Sequence, residues 1–350
     1  MTIISNGETG ASVRAKLNAI WEALELNPID ASIAESAVDV FVYDTSKDLD
    51  GGAWRKRTQG TSWYNETLNT ATRGSRKEFP AFVVGLVFSD ELRLLDADDP
   101  DAPMWMVFDA ATNLNNALTI GTGGALSSAK LTNGKIVVGT SGATGNFSFA
   151  GGKVFDFLAD NVTQLNQFVN IIARYTGNIA GRHTGTWVAD TSVPTIVNSS
   201  INDVSMTILP DAPIDPATGL PVPTIAVATD GGVSVIKDDG TVVDSAETYA
   251  IHNVSFFQDG TLTYSRDGGT ALRISASYTA DGCSGTDISA GNVPSVTPVN
   301  QSSVLTATGG NRDFLGASST GVSHFLRDSS SINKSMVAYT TSTYNTGWMV

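Results

Sequence analysis

The chain has 350 residues and a formal net charge of −14, yet only 16% of its residues are charged. Against roughly 25% in an ordinary soluble domain, that leaves the surface largely to Ser, Thr, Asn and 34 Gly, while 41% hydrophobic residues supply a sizeable core and exclude general disorder. Only 21 Lys and Arg stand against 35 Asp and Glu, so general nucleic-acid binding is excluded, because phosphate contacts need clustered cations. No apolar run approaches the ~18 residues of a membrane span. The opening residues show no basic segment or apolar stretch of a signal peptide, and the single cysteine, Cys283, forms no internal disulfide. The expectation is synthesis in a cytoplasm and release by lysis.

The first predicted element is a helix over 12–26. Val13, Leu17, Ile20 and Leu24 are spaced 4, 3 and 4, which draws one stripe with Trp21 beside it. Thr9 or Ser12 caps the start and Asn27-Pro28 stops it. About four turns are marginal alone, so the stripe must pack on its own domain, on an identical subunit or on a partner protein. Residues 1–36 are accordingly assigned as an N-terminal helical attachment or oligomerisation segment, and 37–350 as one β domain.

From residue 38 the pattern changes to short apolar or alternating runs at 38–43, 81–88, 104–108, 135–139 and 225–229. Asp-Gly and Asn-Gly dipeptides recur between them, including Asn133-Gly134, Asp230-Gly231 and Asp259-Gly260, and supply the positive φ of two-residue hairpins. One later helix is predicted over 160–175, from Leu165, Phe168, Ile171 and Ile172. Gly-then-strand units start near 151, 231 and 320, and halving their separations gives about 40 to 45 residues, the length of a four-stranded propeller blade. Runs at 253–257, 261–265 and 271–275 would belong to an intervening blade. The predicted fold is therefore mainly β, a β-propeller-like body preceded by a short N-terminal α-helix, with a hairpin-rich sandwich as the alternative. Five prolines within 210–223 predict a stiff surface excursion between two blades. The apolar end at Gly347-Trp348-Met349-Val350 suggests that the polypeptide continues.

Motifs for chemistry are sparse. His183, His252 and His324 are isolated and show no metal-ligand spacing. Gly121-Thr122-Gly123-Gly124 lacks the Gly-Lys-Ser/Thr of a phosphate loop. The acidic run Asp96, Asp98, Asp99 and Asp101, and the set Asp44, Asp48 and Asp50, have the oxygen chemistry of Ca²⁺ ligands, but Arg57 stands where a calcium loop needs its bidentate Glu. No cofactor, metal site or catalytic group is assigned. A glycosidase needs two facing carboxylates, and no pair stands out in the sequence. The one unusual segment is 53–80, where Arg55, Lys56, Arg57, Arg73, Arg76 and Lys77 interleave with Trp54, Trp63 and Tyr64. It is either a contact patch for sugars or an acidic partner surface, or an ordered connector whose arginines pair with local carboxylates.

Residues 61–80 (TSWYNETLNTATRGSRKEFP) and 98–108 (DDPDAPMWMVF) resemble tail-associated structural proteins of tailed bacteriophages, above all the large tail fibre or receptor-binding proteins of marine-type phages. Residues 4–18 (ISNGETGASVRAKLN) resemble a short N-terminal module recurrent in phage fibre and virion proteins. The resemblance implies a non-enzymatic virion component: a homo-oligomer, trimeric in fibres, with other tail proteins at its N-terminal side and a host receptor or glycan at the other. It carries over no active-site residues. A glycan depolymerase or lyase, and a purely architectural collar, hub or head-decoration protein, are the alternatives.

Overall fold

The strand-rich reading from residue 38 onward resolves into sheets that take their strands in sequence order. The computed structural model describes residues 36–111, 116–120, 123–142, 151–167, 173–189, 195–246, 248–257, 260–266, 272–275, 278, 286–288, 304–307, 313–318, 321–326 and 336–341. The helix expected over 12–26, with Val13, Leu17, Ile20, Trp21 and Leu24, lies outside the described residues.

The first sheet comprises β1 (Asp39–Asp44), β2 (Phe82–Val87), β3 (Glu91–Asp96) and β4 (Met104–Asp109). The second comprises β5 (Ala125–Thr132), β6 (Lys135–Ser141), β7 (Gly152–Asp156) and β8 (Asn161–Leu165). A two-stranded pair follows, β9 (Ala173–Tyr175) with β10 (Trp187–Ala189). The third sheet is β11 (Ile201–Thr207), β12 (Thr224–Thr229), β13 (Gly232–Ile236) and β14 (Val242–Asp244). The fourth is β15 (Ile251–Phe256), β16 (Leu262–Arg266), β17 (Leu272–Ser275) and β18 (Thr286–Ile288). The fifth is β19 (Val304–Ala307), β20 (Asp313–Ser318), β21 (Gly321–Leu326) and β22 (Met336–Thr341). Neighbouring strands within each sheet are antiparallel.

Turn chemistry sets these ladders. Asn133 and Gly134 take φ of 49° and 70° between β5 and β6, with Thr132 opposite Lys135, the doubly left-handed turn that matches strand twist. Asp230-Gly231 joins β12 to β13 in the same two-residue span. The three Gly-then-strand units become β7, β13 and β21, each the third strand of its sheet. The later interval contains the whole fourth sheet. The earlier one contains, as a complete sheet among the described residues, only the β9–β10 pair.

Two expectations are corrected. The helix predicted over 160–175 is a strand at Asn161–Leu165 and another at Ala173–Tyr175. Val162 and Gln164 alternate inward and the segment completes five rungs with β7; closing that edge outweighs the helical spacing, of which only Leu165 falls in the described part. The proline-rich stretch 210–223 sits inside the third sheet, between β11 and β12, rather than between sheets. It folds back on the rest of the molecule: Arg57 Nη1 donates to Thr218 O at 2.5 Å, and Asn133 Nδ2 donates to Pro221 O at 3.4 Å.

The first strands β1, β5, β11, β15 and β19 adjoin in succession, and apolar layers fill the spaces between consecutive sheets. Val137, Val154 and Leu165 meet Ile201, Val204 and Ile225 between the second and third sheets. Ala226, Val233 and Val235 meet Ile251, Val254 and Leu262 between the third and fourth.

Between the first and second sheets the layer is aromatic, and residues 45–81, which connect β1 to β2, build it. Trp54, Trp63, Phe79, Trp105 and Phe157 are all buried. Phe79 sits 4.9 Å from Trp54, 4.8 Å from Trp105 and 5.0 Å from Phe157, ring centre to ring centre. These tilted and edge-on contacts suit the ring quadrupoles. Each indole N–H has a partner: Trp54 on Asp48 Oδ2 at 2.7 Å, Trp63 on Phe157 O at 2.8 Å, Trp105 on Glu78 O at 2.9 Å. Trp63→Ala opens a cavity and orphans the Phe157 carbonyl, so a loss of about 3–5 kcal/mol is expected, read as a lowered denaturation midpoint in urea. An unchanged midpoint would refute this account of the layer.

Candidate functional site

Structure splits the basic, aromatic segment 53–80 into an inside and an outside. Trp54, Trp63 and Arg73 are buried and face no solvent, so an external sugar or protein cannot reach them. That corrects the contact-patch expectation for these three. Arg55, Lys56, Arg57, Tyr64, Arg76 and Lys77 keep partial or full exposure, but most are held in place. Arg57 pairs with Asp50 at 3.1 Å. Arg76 spans Asp96 at 2.9 Å and Asp98 at 2.7 Å. Lys77 lies 5.7 Å from the Tyr64 ring centre.

Arg73 and Arg182 are the centre of this region. Arg73 donates to Trp105 O at 2.9 Å and Lys77 O at 3.0 Å, and stacks 4.5 Å over the Trp105 ring. Arg182 donates to Val107 O at 2.7 Å, Ile179 O at 3.0 Å and Thr72 O at 2.8 Å. Both guanidinium groups share one counter-ion, Glu66, at 3.7 Å from Arg73 and 2.9 Å from Arg182. Burial lowers the Arg73 pKa to about 10; Glu66 opposes that shift and Arg182 reinforces it. The arginine remains charged at neutral pH and is therefore committed to its carboxylate.

The acidic sets do not gather around a common point. Asp48 accepts from the Tyr43 hydroxyl, the Trp54 indole and the backbone N–H of Asn133 at 3.2 Å. Burial pushes both the Asp48 carboxyl and the Tyr43 hydroxyl up in pKa. Asp44 accepts from Ser46 N at 2.9 Å and Asp50 from Gly52 N at 3.1 Å. Asp98 is partly buried, which works against its charge, but N–H donors from Ala81 and Phe82 at 2.8 Å and Arg76 hold its pKa down. Among the described residues no group of three metal-ligating side chains is present.

A carboxylate pair does form, and sequence reasoning missed it. Asp39 on β1 and Asp203 on β11 meet across Ser128 on β5, whose Oγ is 3.0 Å from Asp39 Oδ2 and 2.7 Å from Asp203 Oδ1. The cluster sits where the first strands of three sheets adjoin. Asp39 Oδ2 also accepts from Ala129 N at 3.1 Å and lies 3.5 Å from Lys130 Nζ. Asp203 Oδ2 accepts from Val254 N on β15 at 3.0 Å. The ladders of β5, β11 and β15 are irregular at the matching places, Leu126/Ser128, Ile201/Asp203 and Ile251/Asn253, and such bulges re-aim a side chain. The signal available in the sequence was the repeated start Asp39-Val40, Asp203-Val204, Asn253-Val254. It is visible only once the strands are aligned on each other.

Burial raises the Asp203 pKa to about 6, and Asp39 adds to the rise; Lys130, Val254 N–H and Ser128 pull the other way. A serine hydroxyl has one proton to donate. When both carboxylates are ionised, one of its two short contacts has no hydrogen. A protonated Asp203 completes the chain, donating to Ser128 Oγ, which donates to Asp39. The remaining oxygen, Asp39 Oδ1, accepts from Val40 N at 2.8 Å, and Asp203 Oδ1 accepts a second contact from Val204 N at 2.9 Å. The arrangement clasps four sheets together, with every carboxylate oxygen of the pair hydrogen-bonded.

Two further titratable groups stand apart. Burial and Arg182 lower the His183 pKa against the opposing pull of Asp109, whose backbone N–H donates to Nε2 at 3.2 Å. Lys153 is buried on β7, its ammonium 5.6 Å from the Trp187 ring centre, and burial lowers its pKa to about 7. The His324 side chain and Gly121-Thr122 lie outside the described residues.

No family model matches the chain, and no curated protein matches it. Among solved structures it is similar to a chain of an active polycomb repressive complex 2 in the basal state, with 10% identity over 84% of this chain and 50% of that one, at a TM-score of 0.41. It is also similar to the Dos1 propeller, with 13% identity over 65% and 54% of the two chains and a TM-score of 0.37. A third is a functionally unknown protein from Desulfotomaculum acetoxidans, with 10% identity over 73% and 66% and a TM-score of 0.40. This chain spans half the length of the first of these.

Glu66→Ala leaves two buried guanidinium groups without a counter-ion, and a loss of about 3–5 kcal/mol is expected, measured by chemical denaturation; a loss under about 1 kcal/mol would disprove the shared pairing. For Asp203 the folded-state pKa is raised, so the folded protein binds the extra proton, and stability falls as pH rises from about 4 through about 6. Asp203→Asn keeps the donor and acceptor without the charge. The variant should match the wild type at pH 4 and exceed it at pH 8, by up to about 3 kcal/mol for a shift of about two pKa units. Parallel thermal unfolding at the two pH values checks this, and equal stability at pH 8 contradicts the raised pKa.

Proposed function

We propose that this chain is a structural protein of a tailed bacteriophage virion, part of the tail fibre or tail tip, that contributes to host adsorption and attaches through residues 1–36. In this reading the sheets are blades of a β-propeller-like body. Support for the propeller comes from the successive contacts of the first strands and from the similar spans of four sheets: Ala125 to Leu165, Ile201 to Asp244, Ile251 to Ile288 and Val304 to Thr341, each about 40 residues. The first sheet is longer because residues 45–81 are inserted between its first two strands.

The observation that carries the virion reading is the pair of strings 61–80 and 98–108. The fold joins them into one packed unit: Arg73 bridges to Met106 and Gly74 N–H donates to Trp105 O at 3.0 Å, while Arg76 is gripped by Asp96 and Asp98. Residues that carry the resemblance thus pack against one another within the first sheet. A homo-oligomer, trimeric as in fibres, is part of the proposal, with other tail proteins and a host receptor or glycan as partners. Gold-labelled antibody against this chain should mark the tail of intact particles in electron micrographs. Label confined to heads, or absent from particles, would overturn the proposal.

A further inference from the structure

We infer that the exposed apolar face of the first sheet is the seat of the chain's own helical segment, residues 12–26. The face itself is described. On β1, Phe41 and Tyr43 point into the aromatic layer, whereas Val40 and Val42 point the other way and are 48% and 71% exposed; Val38, just before the strand, is 53% exposed. Val42 lies opposite Val84 on β2, and Phe82, two residues earlier on the same face, is 44% exposed. The far half of this face is already closed: Leu86 and Leu95 are buried with Ala102 of the 96–103 turn, and Val84, Phe88 and Met104 pack around them. The near half, at β1 and the start of β2, carries four large apolar side chains that stay 44% to 71% exposed. Contiguous apolar surface of this kind marks a contact site.

The occupant follows from what precedes β1. Residues 1–35 lie outside the described residues and lead directly into this strand. Within them, Val13, Leu17, Ile20, Leu24 and Trp21 form a stripe that needs an apolar surface, because a helix of about 15 residues is marginal alone. Such a helix is about 22 Å long, and a six-residue strand about 20 Å. The eleven residues 27–37 span up to about 35 Å when extended, enough for the helix to fold back along β1. Stripe and face therefore match in chemistry, length and tether. The inference concerns the isolated chain and stands apart from the virion reading.

Disulfide trapping in the full chain tests it. In a Cys283→Ser background, Val42→Cys is combined with Leu17→Cys, and mild oxidation of dilute protein is followed by mass spectrometry. An intramolecular disulfide in most molecules is the expected result, at least tenfold above a control pairing Val42→Cys with Glu22→Cys, which lies opposite the stripe. As a second readout, Val42→Lys should raise hydrogen exchange in residues 12–26 at least tenfold and leave Trp63 and Trp105 peptides unchanged. Disulfide-linked dimers would overturn the inference in favour of a second copy on this face. No cross-link above the control, or unaltered exchange in 12–26, would also overturn it.

Discussion

A single carboxylate between two buried guanidinium groups governs the first half of the molecule. Glu66 neutralises Arg73 and Arg182, while the two Nη groups of Arg73 and the Nε and Nη groups of Arg182 donate to main-chain carbonyls of Trp105, Lys77, Val107, Ile179 and Thr72. Buried charge is costly unless it is paired and hydrogen-bonded. The positions of Thr72, Trp105, Val107 and Ile179 are thereby set relative to one another, although they are far apart in sequence. Aromatic packing fills the volume around this point, but the ionic contacts decide which carbonyl meets which side chain.

The same principle recurs at the junction of the first strands. Asp39, Ser128 and Asp203 join β1, β5 and β11, and Val254 N–H extends the chain to β15. Hydrophobic layers between sheets are non-directional and tolerate sliding. Short polar contacts at matching bulges do not. Registry between sheets thus comes from a few polar groups, and area buried comes from Val, Ile and Ala.

Strands and hairpins were legible from residues alone, because Asn133-Gly134 and Asp230-Gly231 impose their turn geometry locally. The repeat of Gly-then-strand units was legible for the same reason, and it placed the fourth sheet between two others. What escaped was whatever depends on distant partners. Leu165 reads as helical until β7 is seen to need an edge partner. Trp54, Trp63 and Arg73 read equally as a contact patch or as an ordered connector until Phe157 and Glu66 are seen to enclose them. The Asp39–Asp203 pair was invisible because its members lie on strands separated by more than a hundred residues, linked through Ser128 of a third.

The aromatic layer also constrains how the protein is made. Trp54, Trp63 and Phe79 leave the ribosome well before Phe157, and Arg182 emerges later still. Until those residues arrive, the indole rings lack their lid and Glu66 lacks its second cation. The first sheet therefore cannot complete its fold as soon as it is synthesised. Long-range closure of this kind slows folding and prolongs exposure of sticky intermediates. During that interval the apolar rings of residues 54–79 stay exposed on the nascent chain.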